Sequence, residues 1–147
     1  MAENTVLEQE EQMVVFQLGP ESYGIDIFRV NEIIRLREIT PIPKSEDYIR
    51  GLVNLRGKTI PVVDLRIKLN LGSAEDTETT RIIVVDAEFG NIGVVVDAVR
   101  EVITLQPDQV NQAPLLVSDT DNDFVRGVAK VDDGLITLLH LDQALAA

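Results

Sequence analysis

The stretch Ile49-Arg50-Gly51-Leu52-Val53-Asn54-Leu55-Arg56-Gly57-Lys58-Thr59-Ile60-Pro61-Val62-Val63-Asp64-Leu65 has a fainter copy 76 residues further along the chain. Ile49-Arg50-Gly51-Leu52 aligns with Val125-Arg126-Gly127-Val128, Leu55 with Val131, and Ile60 with Ile136. Val62-Val63-Asp64-Leu65 aligns with Leu138-Leu139-His140-Leu141. Upstream, the self-similarity continues at a spacing of 69 residues. Val14-Val15-Phe16 meets Ile83-Val84-Val85, Gly24 meets Gly93, and Ile25 and Ile27 meet Val94 and Val96. Val30 then meets Val99, Glu32 meets Glu101, and Ile33-Ile34 meets Val102-Ile103. Apolar matches alone arise easily in a Val-rich chain; the repeated Arg-Gly and Val-x-Glu-apolar-Ile carry the duplication. The two spacings differ by seven residues, which places a longer connection in the second half between Ile103 and Arg126, where Gln106-Pro107, Ala113-Pro114 and Ser118–Asp123 read as loop.

Each half reads as short strands. MVVFQLG and SYGIDIF flank a Pro20-Glu21 turn, as in a β-hairpin. Runs rich in Val and Ile follow at Leu52–Leu55, Thr59–Val63, Arg81–Asp86, Ile92–Val96, Glu101–Leu105, Val125–Val131 and Leu135–Leu139. Asp132-Asp133-Gly134 is a hairpin turn, with Arg56-Gly57-Lys58 in the equivalent place. Helix is expected only as a turn or two over Phe28–Ile33, a turn at Ser45–Tyr48 capped by Ser45, a segment from Asp64 through Leu71, and the C-terminal LDQALAA. About ten strands in two halves point to an all-β chain of two small barrels, because closing a sheet removes its exposed edges. The expected organisation is a loose tail over 1–12, a first half over 13–71, an acidic link over 72–80 and a second half over 81–147. In the tail, Val6 and Leu7 alone are not expected to offset the entropy of ordering it.

Composition removes several kinds of chemistry. With no cysteine, the 147-residue chain has neither a disulfide framework nor a thiol nucleophile nor a zinc–thiolate site. A formal charge of −12 repels phosphate backbones and anionic lipid, which argues against nucleic acid and membrane as partners. The polar, acidic start has neither the basic head nor the apolar stretch of a secretory signal, and a cytoplasmic protein is expected.

Motifs that look chemical fail on their details. Gly51 to Thr59 resembles a phosphate-binding loop, but five residues separate its glycines where four are required. Ile60-Pro61-Val62-Val63 then follows in place of a helix whose N-terminus faces an anion. His140 is the single histidine and reads as a capping or surface group. Ser22, Ser45, Ser73 and Ser118 lie in turn or capping contexts, outside any nucleophile-elbow pattern. Asp119, Asp121 and Asp123 alternate, but the glycine and distal glutamate of a calcium loop are missing. No activated group with an orienting partner can be assembled, so neither an enzyme nor a cofactor or metal site is expected.

What remains are charges beside apolar runs. Glu32 lies between Val30-Asn31 and Ile33-Ile34, and Arg56 follows Leu55. A half-buried charge needs a partner, and an arginine fork suits a carboxylate, so the two are expected to pair; the alternative is that each points to solvent. Gly51 and Gly127 precede strands, where a glycine supplies a special backbone angle or lets another chain approach closely.

Tyr23-Gly24-Ile25-Asp26-Ile27, Val30-Asn31-Glu32-Ile33, Ile49 through Gly57 and Ile60-Pro61-Val62-Val63-Asp64-Leu65 together resemble the signature of CheW-type chemotaxis coupling domains, over residues 13 to about 146. The resemblance implies two SH3-like five-stranded barrels, no catalysis and no cofactor. It implies as partners the cytoplasmic tip of a chemoreceptor, a methyl-accepting chemotaxis protein, and the regulatory domain of the CheA histidine kinase. It ties Val30, Glu32, Gly51 and Arg56 to receptor coupling and gives the second half, with Gly127 and Val128, the kinase-facing surface. The same resemblance would suit a regulatory domain cut from a larger kinase or an adaptor–receiver fusion. The start at Met1 and the finish after one terminal helix weigh toward the separate adaptor.

Overall fold

The structure is a computed structural model and describes residues 7–88, 90–111, 124–132 and 134–146. Its described strands fall into two sheets, and the chain divides into two compact units. One unit is made from the chain ends, Met1–Ile27 and Arg100–Ala147; the other is Phe28–Val99.

The terminal unit is built on β1 (Glu11–Leu18), β2 (Glu21–Asp26), β8 (Ala98–Leu105), β9 (Val110–Asn111), β10 (Val125–Val131) and β11 (Gly134–Leu139). They order as β8-β1-β2-β11-β10-β9. The expected first hairpin is present: β1 pairs β2 antiparallel with Phe16 opposite Tyr23, whose rings stack with centroids 6.0 Å apart. Met13, Val15, Leu105, Val110, Ala129, Ile136 and Leu138 pack into one core. Leu7 joins them at 1% exposure, which corrects the expected tail. Burying a leucine is worth about 1.5–3 kcal/mol, enough to offset fixing a residue or so of backbone. Polar anchors add to it: Gln106 Nε2 donates to Glu10 at 2.8 Å, and Arg126 forks onto Glu11 at 2.8 and 3.0 Å.

The middle unit contains β3 (Val30–Arg35), β4 (Ile49–Leu55), β5 (Lys58–Asp64), β6 (Arg81–Ala87) and β7 (Gly90–Val96), ordered β3-β6-β7-β5-β4. Alternate residues Val53 and Leu55, Ile60 and Val62, Ile82 and Val84 line its core with Val95, as period-two strands require. The resemblance implies five strands per barrel; the terminal sheet has a sixth, the two-residue β9.

The units cross the boundaries of the repeat. β2, from the first copy, pairs in parallel with β11 from the second, and β5 pairs in parallel with β7. Each copy thus contributes its opening hairpin to the sheet that holds the other copy's closing one. A lone hairpin is marginal in water and must add strands somewhere; hydrophobic period names strands but not their partners. The link over 72–80 accordingly lies within the middle unit. The duplication itself is visible in geometry. Gly24 stands opposite Leu138 and Gly93 opposite Val62, repeat-equivalent pairs. Register shifts fall between Ile49 and Gly51 and between Val125 and Gly127. Asp64 N–H donates to Tyr48 and His140 N–H to Phe124, both at 2.7 Å.

Helices are few and short. Asp64 caps α1 (Leu65–Lys68) as expected, its carboxylate accepting from the Ile67 N–H, but α1 stops before Leu71. The C-terminal α2 (Leu141–Leu145) follows His140, which makes no side-chain cap bond. Two helical expectations are corrected. Over Phe28–Ile33 only a 3₁₀ turn at Ile27–Arg29 forms before β3, because β-branched Val30, Ile33 and Ile34 favour the strand ladder with β6. Ser45 caps nothing; its hydroxyl donates backward to the Ile42 carbonyl, and the segment is a turn entering β4. The expected loop at Ser118–Asp123, with Asp119, Asp121 and Asp123, lies outside the described residues, as does Asp133 of the last hairpin.

Candidate functional site

β3 and the β4–β5 hairpin of the middle unit carry the four residues Val30, Glu32, Gly51 and Arg56. Leu55 pairs with Lys58, so the hairpin loop is the two residues Arg56 and Gly57, at φ 52° and 82°. Paired left-handed residues suit the right-handed twist of a tight hairpin, and glycine is the natural second occupant. Arg56 is the less natural first one, and its side chain is 73% exposed. Its fork closes on Glu32 as expected: Nη2 donates to Oε1 at 2.9 Å, and Nη1 donates to Oε2. Glu32 sits just past an irregularity in the β3–β6 register. The hydrogen bond from Arg56 holds its carboxyl below the usual range; partial desolvation opposes this, and the charges of Arg56 and Arg37 add to it. The same pairing raises the Arg56 guanidinium further.

Asn54, from the quoted stretch, and Arg37, which drew no attention in the sequence, complete this corner. Asn54 Oδ1 accepts the Gly57 N–H at 3.1 Å, and Arg37 Nη1 donates to the Asn54 carbonyl at 3.3 Å. Asn54 was legible as the residue before a Leu-Arg-Gly turn. Arg37 was not, because it lies outside every strand.

Gly51 meets the first reading of its position, a special backbone angle. Its φ is 140°, and a Cβ there would stand 2.1 Å from the Thr40 carbonyl oxygen. That close neighbour is the chain itself: Thr40 and Leu52 exchange two backbone hydrogen bonds, at 2.8 and 2.9 Å. Val30 opens β3 opposite Val85 and is half-buried. Gly127 and Val128 belong to the other unit, on β10, where Gly127 is buried and Val128 lies between Thr137 and Asn111.

The repeat carries a second charged motif. Arg50 forks onto Asp76 and lies 3.5 Å from Asp64. Its counterpart Arg126 meets Glu11, and Asp64 is replaced by His140, whose pKa is lowered by partial burial and then by Arg126. Lys58 and Thr59 open β5, so the residues after Gly57 run on as strand where a phosphate loop needs a helix. Among the described residues, no three His, Asp or Glu side chains gather as metal ligands, and no helix is long and apolar enough to cross a membrane.

A β-rich domain that presents an exposed ion pair at a hairpin tip suits an interaction module of the scaffold class. The CheW-like domain family is matched over residues 12–147, and the chain belongs to that family. It is 33% identical over 135 residues to the chemotaxis protein CheW of Bacillus subtilis, covering 92% of this chain and 86% of that one. Against the chemotaxis protein CheW of Klebsiella aerogenes it is 31% identical over 137 residues, 93% of this chain and 82% of that one. The crystal structure of the scaffolding protein TtCheW from Thermoanaerobacter tengcongensis superposes with a TM-score of 0.85 at 39% identity, covering 93% of each chain.

Proposed function

We propose that this protein is a cytoplasmic, non-catalytic adaptor of chemotaxis that couples the cytoplasmic tip of methyl-accepting chemoreceptors to the regulatory domain of the CheA histidine kinase. The observation that carries the reading is family membership across nearly the whole chain, joined to the close match with a scaffolding protein of the same family. The exposed Glu32–Arg56 pair, with Val30 and Gly51 beside it, serves the receptor; β10, with Gly127 and Val128, serves the kinase. Such a role asks only for complementary surfaces, and an exposed guanidinium already oriented by a carboxylate loses little freedom when a partner docks.

The test is reconstitution of the chain with a receptor cytoplasmic fragment and the kinase. Arg56→Glu is expected to lower receptor-dependent kinase activation about tenfold or more, the scale of a lost charged contact at an interface, while the circular dichroism spectrum stays that of the wild type. Activation at wild-type level in Arg56→Glu rejects the role given to this corner.

A further inference from the structure

Arg56 is an arginine in a left-handed turn position, a conformation that persists only where surrounding contacts determine it. Three contacts do so. Glu32 grips the guanidinium from β3, Asn54 Oδ1 holds the Gly57 N–H, and Arg37 donates to the Asn54 carbonyl. Arg37 reaches that carbonyl from 17 residues upstream, so it ties the segment after β3 to the rim of the hairpin. Its charge also acts on Glu32, the carboxylate that orients Arg56.

We propose that Arg37 is a positioning residue for Arg56: by bonding the Asn54 carbonyl, it holds the β4–β5 turn in the state that presents the Arg56 guanidinium. The proposal rests on the coupling role given above to Arg56. Arg37 bonds the backbone of the turn and, on this view, not the partner. It removes freedom from the turn, so that less is lost on binding. A surface contact of this kind is weak, and the effect is correspondingly a few-fold one.

The test uses the full chain carrying Arg37→Ala, Arg37→Lys, Arg56→Ala, or Arg37→Ala with Arg56→Ala. Nuclear magnetic resonance of the free protein follows solvent exchange of the Arg56 Nε–H and titration of the Glu32 carboxyl. Calorimetry follows affinity for a receptor cytoplasmic fragment. Arg37→Ala is expected to quicken the Arg56 exchange, to raise the Glu32 titration, and to weaken receptor binding by about fivefold, the upper end for an exposed polar contact. Arg37→Lys restores the Glu32 titration and part of the exchange protection. Adding Arg37→Ala to Arg56→Ala weakens binding no further. An Arg56 exchange rate and Glu32 titration unchanged in Arg37→Ala overturn the proposal whatever happens to affinity. If both move as expected while neither Arg37→Ala nor Arg56→Ala alters receptor binding, positioning stands and the coupling role of the turn falls.

Discussion

The terminal and middle units are two versions of one plan, with a parallel strand pair closed over a glycine and a register shift before a repeated Arg-Gly. Their surfaces have gone different ways. The middle unit holds ten of the thirteen Lys and Arg and eleven of the twenty-five Asp and Glu, a formal charge of −1. The terminal unit holds the other three and fourteen, a charge of −11. Where the middle unit has Arg56 at its hairpin tip, the terminal unit has Asp132, in nearly the same left-handed conformation at φ 51°. Backbone geometry was kept while side-chain charge diverged, so one unit is nearly neutral and the other strongly acidic. Duplication here multiplies a scaffold and differentiates what it displays.

Substitutions at equivalent places test how deep the likeness runs. The largest effect is expected at Gly51, where any Cβ strikes the Thr40 carbonyl and the φ of 140° suits only glycine. Gly51→Ala should cost about 3 kcal/mol or more in urea unfolding, and a smaller loss would show that the Thr40 segment is free to yield. Gly93 and Gly24 come next, as a matched pair. A Cβ on Gly93 meets Ile82 Cγ2 at 2.8 Å, whereas one on Gly24 meets Leu138 Cδ2 at 3.0 Å. The first is the stiff branch of a fully buried β-branched residue; the second is the far end of a flexible side chain. Gly93→Ala should therefore cost about 1–3 kcal/mol. Gly24→Ala should cost less than about 1 kcal/mol, because the stiffer unfolded chain offsets part of the crowding. Equal losses would dissolve the distinction between the units at this point.

The smallest effect concerns the position where the repeat has Asp64 in one unit and His140 in the other. Asp64 caps α1, while His140 leaves the first turn of α2 without that bond. Because the folded pKa of His140 lies below 6.5, the unfolded chain takes the proton first. Stability is therefore intact above about pH 6.5 and declines slightly as pH falls below it. His140→Asp should remove that decline and add about 1 kcal/mol by capping α2. Denaturation at pH 7.5 and pH 5.5 measures both, and a steeper loss in the variant between those values would refute the equivalence.

Much of this was open to reading before any coordinates. The two spacings located the hairpins and the equivalence of Gly51 and Gly127, and charges set beside apolar runs named Glu32 and Arg56 as a pair, because alternation and repeated polar residues are local signals. Local signals do not say which hairpin joins which. The pairing of Ser22–Gly24 with Ile136–Leu138 spans most of the chain, and nothing in either strand names the other. Leu7 was lost for a related reason: a single apolar pair in an acidic run shows no period, and the place of Leu7 in the core is set by distant strands. Arg37 and Asn54 act on a turn through backbone carbonyl and amide groups, a geometry that residue type alone does not announce.

That the terminal unit is assembled from the two ends of the chain bears on how it is made. As the polypeptide leaves the ribosome, residues 28–99 bring every strand of the middle sheet out together. The β1–β2 hairpin, synthesised before the middle unit, must wait with its β2 edge open until β11 emerges about a hundred residues later. An unfilled strand edge is where nascent chains go astray. A hairpin made before the middle sheet is therefore completed after it, and losing β11 would leave β2 without its neighbour on that edge.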